Sequence, residues 1–283
     1  MKIYSLTLLL CLLSIGSFAQ TDAAKKSASR GTTQSADDIP NIDIDSASIV
    51  LTIPSSATDG TNGAGLAYDP VKKLYYSAFA GNVSYPMVVF DAKGNVVSAD
   101  ASTIIDVRGL WYNAKTSSIE ANGYAEFGIV KYAFDKKGIP VSTTPIFSGK
   151  NQPDDNSVGV FDPVHNEILF LEMDENYATI YRYSRSTGKE VGKIELDELD
   201  YLGSYNNTAI AYTGIKGAEI AIVDYEVAII YLFDVSSGKM VKQVTLPLDA
   251  VVEERFNFTF TNGMFWFFDT AYREWVGYKM PKQ

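Results

Sequence analysis

Five tyrosines recur at nearly even spacing along this 283-residue chain, at Tyr85, Tyr124, Tyr177, Tyr225 and Tyr272. Carboxylates accompany several of them, at Glu126, Asp174, Glu175, Asp224, Glu226, Asp269 and Glu274. Aromatic faces stack on sugar rings and on cations, and carboxylates accept hydrogen bonds from hydroxyls. Gathered on one face, these side chains would form a receptor for a glycan or a peptide. A second polar set falls between the tyrosines and includes Asn62, Asp106, Arg108, Asn156, Asn206, Asn207, Glu254, Arg255 and Asn257. Arg108, Asn156, Asn207 and Arg255 are expected to join the tyrosines in holding the ligand. Gln152-Pro153-Asp154-Asp155-Asn156 is the densest oxygen cluster. Asp154 and Asp155 are the candidate metal ligands there, and calcium, which takes six to eight oxygens, is the candidate ion. The cluster lacks EF-hand spacing, and a solvated acidic loop is the competing reading.

Absences narrow the chemistry further. His165 is the single histidine and lies in the turn-like stretch Asp162-Pro163-Val164-His165-Asn166, where an exposed side chain is expected. One histidine argues against a Ser-His-Asp triad, a multi-histidine zinc site and c-type haem attachment. No glycine-rich phosphate loop occurs. A glycosidase needs two carboxylates about 5–9 Å apart across a cleft, and Asp106, Asp155 and Glu254 are the conceivable members. The net charge of −10, with no basic stripe interleaved with aromatics, argues against nucleic acid and anionic membrane surfaces as partners.

The N-terminus reads as a cleavable export signal over residues 1–19. Lys2 supplies the charge, Leu8–Ile15 an apolar run too short to span a bilayer, and Ser17-Phe18-Ala19 the small cleavage-site residues. Cleavage removes Cys11 and leaves a cysteine-free chain of 23 basic and 34 acidic residues, with no disulfide or thiolate chemistry. It predicts a periplasmic or extracellular protein without membrane insertion. Residues 20–46 are polar, with only Ile39, Ile42 and Ile44 as large apolar side chains, and read as a flexible leader.

The elements that must position the tyrosines come from a repeat. A strand closing on an aromatic before a turn occurs as Gly65-Leu66-Ala67-Tyr68-Asp69-Pro70, Gly109-Leu110-Trp111-Tyr112-Asn113 and Val158-Gly159-Val160-Phe161-Asp162-Pro163. It returns as Ala209-Ile210-Ala211-Tyr212-Thr213-Gly214 and Asn257-Phe258-Thr259-Phe260-Thr261-Asn262. The closing aromatics step by 44, 49, 51 and 48 residues. A second mark, an aromatic followed by a polar turn with glycine, falls at Phe90, Phe134, Tyr183 and Phe233, in phase with the first. A unit of about 40–50 residues with four short strands is the pattern of propeller blades. Each four-stranded sheet has two apolar faces that only radial packing buries.

The expected fold is therefore all-β: a single β-propeller over residues 47–283, with five four-stranded blades and six as the alternative. The fifth unit ends one strand short, and Ser48–Pro54 stands unpaired before the first. That N-terminal strand is expected to complete the last blade. The stretches Tyr231-Leu232-Phe233-Asp234-Val235-Ser236-Ser237-Gly238-Lys239 and Tyr183-Ser184-Arg185-Ser186-Thr187-Gly188-Lys189 resemble the YVTN and NHL-type propeller repeats. The turns of the second and fifth units depart from that pattern. The resemblance implies a fold that hosts lectins, lactonases, glycosidases and scaffolds, so it leaves the activity open. The leading expectation is a non-enzymatic binding module that recognises a glycan, peptide or protein partner. Its funnel face would carry the connections between second and third strands, each holding one of the five tyrosines. A propeller hydrolase, metal-dependent and lactonase-like or a glycosidase, and a scaffold without a small ligand are the alternatives.

Overall fold

A computed structural model describes residues 39–57, 59–173, 178–196 and 207–281. The expected export signal, residues 20–38 of the leader, and Asp174, Glu175, Tyr177 and Asn206 lie outside the described residues. Two short strands come first, β1 (Asn41–Asp43) and β2 (Ile49–Thr52). The first blade follows with β3 (Asn62–Asp69), β4 (Leu74–Ala80), β5 (Pro86–Asp91) and β6 (Val96–Ser102). The second comprises β7 (Val107–Asn113), β8 (Ser118–Gly123), β9 (Ile129–Phe134) and β10 (Pro140–Phe147). The third comprises β11 (Val160–Asp162), β12 (Glu167–Met173), β13 (Ala178–Ser184) and β14 (Glu190–Glu195). The fourth comprises β15 (Ile210–Tyr212), β16 (Ile220–Asp224), β17 (Ile229–Phe233) and β18 (Met240–Thr245). The fifth has β19 (Phe258–Thr261), β20 (Met264–Asp269) and β21 (Glu274–Lys279).

Each blade is an antiparallel meander, and β2 supplies the missing outer strand of the fifth blade, pairing Leu51 with Trp275. The innermost strands β3, β7, β11, β15 and β19 touch in that order, and β19 touches β3, which closes a ring of five blades rather than six. Turn chemistry fits the repeat. Asp69 Oδ1 accepts from the amides of Val71 and Lys72, and Asp91 Oδ1 from those of Lys93 and Asn95. Each caps its own hairpin as an Asx turn. Gly238 of the fourth blade has φ +72°, and a Cβ there would lie 2.1 Å from the Glu195 carbonyl oxygen. Only glycine fits.

Every seam between neighbouring blades holds one apolar cluster. The seam between fifth and first blades is the most aromatic, with Phe79, Trp266, Phe268 and Trp275 fully buried. Each such side chain contributes about 2–3 kcal/mol by leaving water.

Within the expected leader, residues 41–43 form a strand. β1 runs parallel to β18, Asn41 beside Gln243, and adds a fifth strand to the fourth blade. Ile39 is buried with the cluster between third and fourth blades, and Ile44 with that between fourth and fifth. Three isoleucines are too few for a core of their own. Here an existing sheet edge and the two flanking seams supply the partners. Among the described residues no helix is long and apolar enough to cross a membrane.

Candidate axial ligand site

The five inner strands enclose a cavity of about 410 Å³ on the ring axis. That size falls in the range of ~300–1,000 Å³ usual for small-ligand pockets. Its deep wall is aliphatic, from Ala64, Leu66, Val158 and Ile210. Its rim is formed by Pro70, Pro163, Gly214, Asn262 and Gly263, which belong to the turns between first and second strands. Pro70, Gly214 and Gly263 are exposed, so the cavity opens to water on that face. Between wall and rim stand Tyr68, Tyr112, Phe161, Tyr212 and Phe260. These are the five aromatics that mark the repeat.

The wall is held by buried polar contacts. Glu120 of β8 is fully buried and accepts from Nε and Nη2 of Arg185, at 2.7 and 2.6 Å, from the neighbouring blade. It also accepts from the Trp111 indole (3.2 Å), the Asn113 amide, Thr116 and Ser118. Trp111 lines the cavity and stacks on Phe161, ring centroids 6.0 Å apart. Burial alone would raise the Glu120 pKa. The hydrogen bonds and charge of Arg185, with Ser118 and Asn113, outweigh it and hold the carboxyl below its ordinary value. Gly109 and Gly159 let the same two inner strands touch: a Cβ on Gly109 would sit 2.1 Å from the Gly159 oxygen. The Tyr212 hydroxyl donates to Asp162 at 3.1 Å. Burial, then the charge of Asp162, raises its pKa, so the phenol stays neutral.

At the opposite end of the axis stands Phe256. Phe256, just before β19, packs against both the cluster between first and second blades and that between third and fourth. Its ring therefore crosses the axis. Phe256 and Asn257 are both left-handed, at φ +54° and +61°. Asparagine tolerates this conformation and phenylalanine does not. Asn257 locks the pair by accepting from the Gly63 amide through its side chain and donating to the Gly63 carbonyl at 2.9 Å. The Arg108 guanidinium lies 5.8 Å from the Phe256 ring and 4.8 Å from that of Tyr124. Both Asp106 carboxylate oxygens take Arg108, which is only 5% exposed.

The sequence-predicted site residues scatter around this end. Arg108 is buried near Phe256, and Tyr124 covers it. Tyr85 and Tyr225 are half-buried, Tyr272 is 75% exposed, and no ring contact joins any of these tyrosines among the described residues. Asn156 is exposed and donates its amide to Asp154, Asn207 is half-buried, and exposed Arg255 faces Glu254 at 3.7 Å. Asp155 meets Lys150 at 3.7 Å. Among the described residues no three or more His, Cys, Asp or Glu side chains converge on a metal-sized point. Of the glycosidase candidates, Asp106 is committed to Arg108 and to the Gly81 amide. Among the described residues no carboxylate lines the axial cavity. In the sequence the repeat-marking aromatics read only as marks of the period. Their recurrence one residue before each inner turn was the available signal for the cavity. Nothing local marked Glu120 or Arg185 as a pair, 65 residues apart.

No family model matches the chain, and no curated protein matches it. Among solved structures it is similar to a glutaminyl cyclase of Myxococcus xanthus, 10% identical, with a TM-score of 0.55, over 86% of this chain and 98% of that one. It is also similar to an auxiliary nutrient binding protein of Bacteroides thetaiotaomicron, 12% identical, TM-score 0.42, over 81% and 76%. A chain of a nidogen/laminin complex gives 14%, 0.42, 80% and 83%. At this identity the first likeness is one of fold alone. The fold is a five-bladed β-propeller.

Proposed function

We propose that this propeller is an exported binding module that takes one ring of a ligand, such as the terminal sugar of a glycan, into its axial cavity from the turn face. The observation that carries this reading is the cavity itself: five repeat-marking aromatics around an open mouth, and Phe256 behind it. Tyrosine and tryptophan faces stack on sugar CH groups, while the hydroxyls of Thr259 and Thr261 in the same wall supply hydrogen bonds. The N-terminal export pattern supports a working place outside the cytoplasm.

A panel of glycans and peptides screened by thermal shift on residues 20–283, followed by calorimetry, tests the proposal, since ligands that bind only the folded state raise its melting temperature. Thr259→Trp fills the cavity without removing a wall contact and is expected to abolish binding. Ligands that survive this change but are lost in Tyr124→Ala or Tyr272→Ala would move the site to the opposite face.

A further inference from the structure

We infer that the ring taken up by the axial cavity carries a carboxylate attached directly to it, held at the rim by ammonium groups of the turns; this rests on the cavity being the binding site. Among the described residues the cavity wall contains no charged side chain. Around its mouth the turn carboxylates are engaged within the protein, Glu219 of the fourth blade's turn by the amides of Gly217 and Val235. The carboxylates beneath the rim, Asp69 and Asp162, are 2% and 1% exposed and turned into the protein. Asp69 is occupied by the amides of Val71 and Lys72 and by the Lys72 ammonium. Asp162 is occupied by the amides of Val164 and His165, by the His165 ring and by the Tyr212 hydroxyl. Their lone pairs are used, and they face away from an incoming ligand.

The cations stand outside. Lys73, Lys115 and Lys216 are exposed, one on each of three of the five turns that frame the opening. Lys115 is fixed at the edge itself. Its Nζ donates to the carbonyl oxygen of Pro163, a rim residue of the next blade. An ammonium has three donors, so two remain for a ligand. A ring entering here meets apolar and hydroxyl surface inside and the Lys115 ammonium at the lip. A neutral ring leaves those donors to water, whereas a ring bearing a carboxylate uses both parts.

The test is titration of the full chain with glucuronate, glucose and benzoate, read by calorimetry and by Trp111 fluorescence, at low and high salt. Glucuronate is expected to bind about tenfold more tightly than glucose at low salt, with the advantage shrinking as salt screens the ammonium groups. The exposed triple substitution Lys73→Gln, Lys115→Gln, Lys216→Gln is expected to erase the difference. Benzoate against glucuronate then tells an aromatic acid from an acidic sugar, and preference for either over glucose supports the inference. Equal affinity for glucose and glucuronate, or a preference untouched by the triple variant, overturns the inference and leaves the cavity as a binding site. Failure of all three rings to bind overturns the cavity reading beneath it.

Discussion

At the turn end of the axis, five aromatics stand back from the centre and leave about 410 Å³ open. At the other end one aromatic, Phe256, crosses the axis with Arg108 against it. Both ends are made by the same five strands. The difference lies in what joins those strands to the next element. The inner hairpins are short and closed by their own aspartates, as Asp69 and Asp162 show, so they return outward without reaching the centre. The connections from an outer strand to the next inner strand must cross a whole blade. The one between β18 and β19 is long enough to leave a side chain on the axis. In this chain the turn end stays open and a bulky residue of one connection stands on the axis at the other end.

The comparison can be broken most severely at the open end. Glu120→Ala would strand the buried Arg185 guanidinium and free the donors of Trp111, Asn113 and Ser118. A stability loss of about 3–5 kcal/mol is expected in denaturant unfolding, with loss of the Trp111–Phe161 stack. The same carboxyl gives a pH signature. Its folded pKa lies below the ordinary 4.5, so its contribution is complete above that value and disappears as the pH falls through the lower folded value. Glu120→Gln should flatten this acid limb in thermal unfolding measured against pH; an unchanged limb would deny the pair its role.

At the Phe256 end, Arg108→Ala leaves Asp106 without its cation at a side-chain exposure of 12%. A loss of about 3 kcal/mol is expected by thermal or denaturant unfolding. Phe256→Ala removes the ring but keeps a Cβ and with it the left-handed strain at φ +54°, so only the packing of a half-buried ring is lost. A cost of about 2 kcal/mol is expected, together with faster release of any cavity ligand by stopped-flow measurement. Unaltered release would mean that the axis is blocked by something other than Phe256. The smallest effect belongs to Tyr272→Ala. Its side chain is 75% exposed, so stability should move by no more than about 0.5 kcal/mol and cavity binding not at all. A large loss of ligand affinity there would sharpen the opposite conclusion, that the connection face binds.

Much of this molecule was legible before any coordinates. The phased marks at Tyr68, Tyr112, Phe161, Tyr212 and Phe260 and the unpaired strand at Ile49–Leu51 foretold five blades and the join between the ends. Periodicity is local and repeats, so each copy supports the others. The candidate site was less legible because it depends on contacts between blades. Arg108 is a ligand-contact candidate in sequence, and only the structure sets it against Asp106, two residues away, and two aromatics from other segments. Ile39 and Ile44 read as too sparse to order a leader, yet two seams built by later residues receive them.

What the sequence alone determined was the repeating sheet, its apolar faces and the number of copies, because these follow from patterning within some fifty residues. Which end of the axis stays open was decided only when the copies met. That outcome turns on a few side chains, Phe256, Arg108 and Glu120, whose partners lie on other blades. Their burial, pairing and backbone conformation are properties of the closed ring and of no single unit within it.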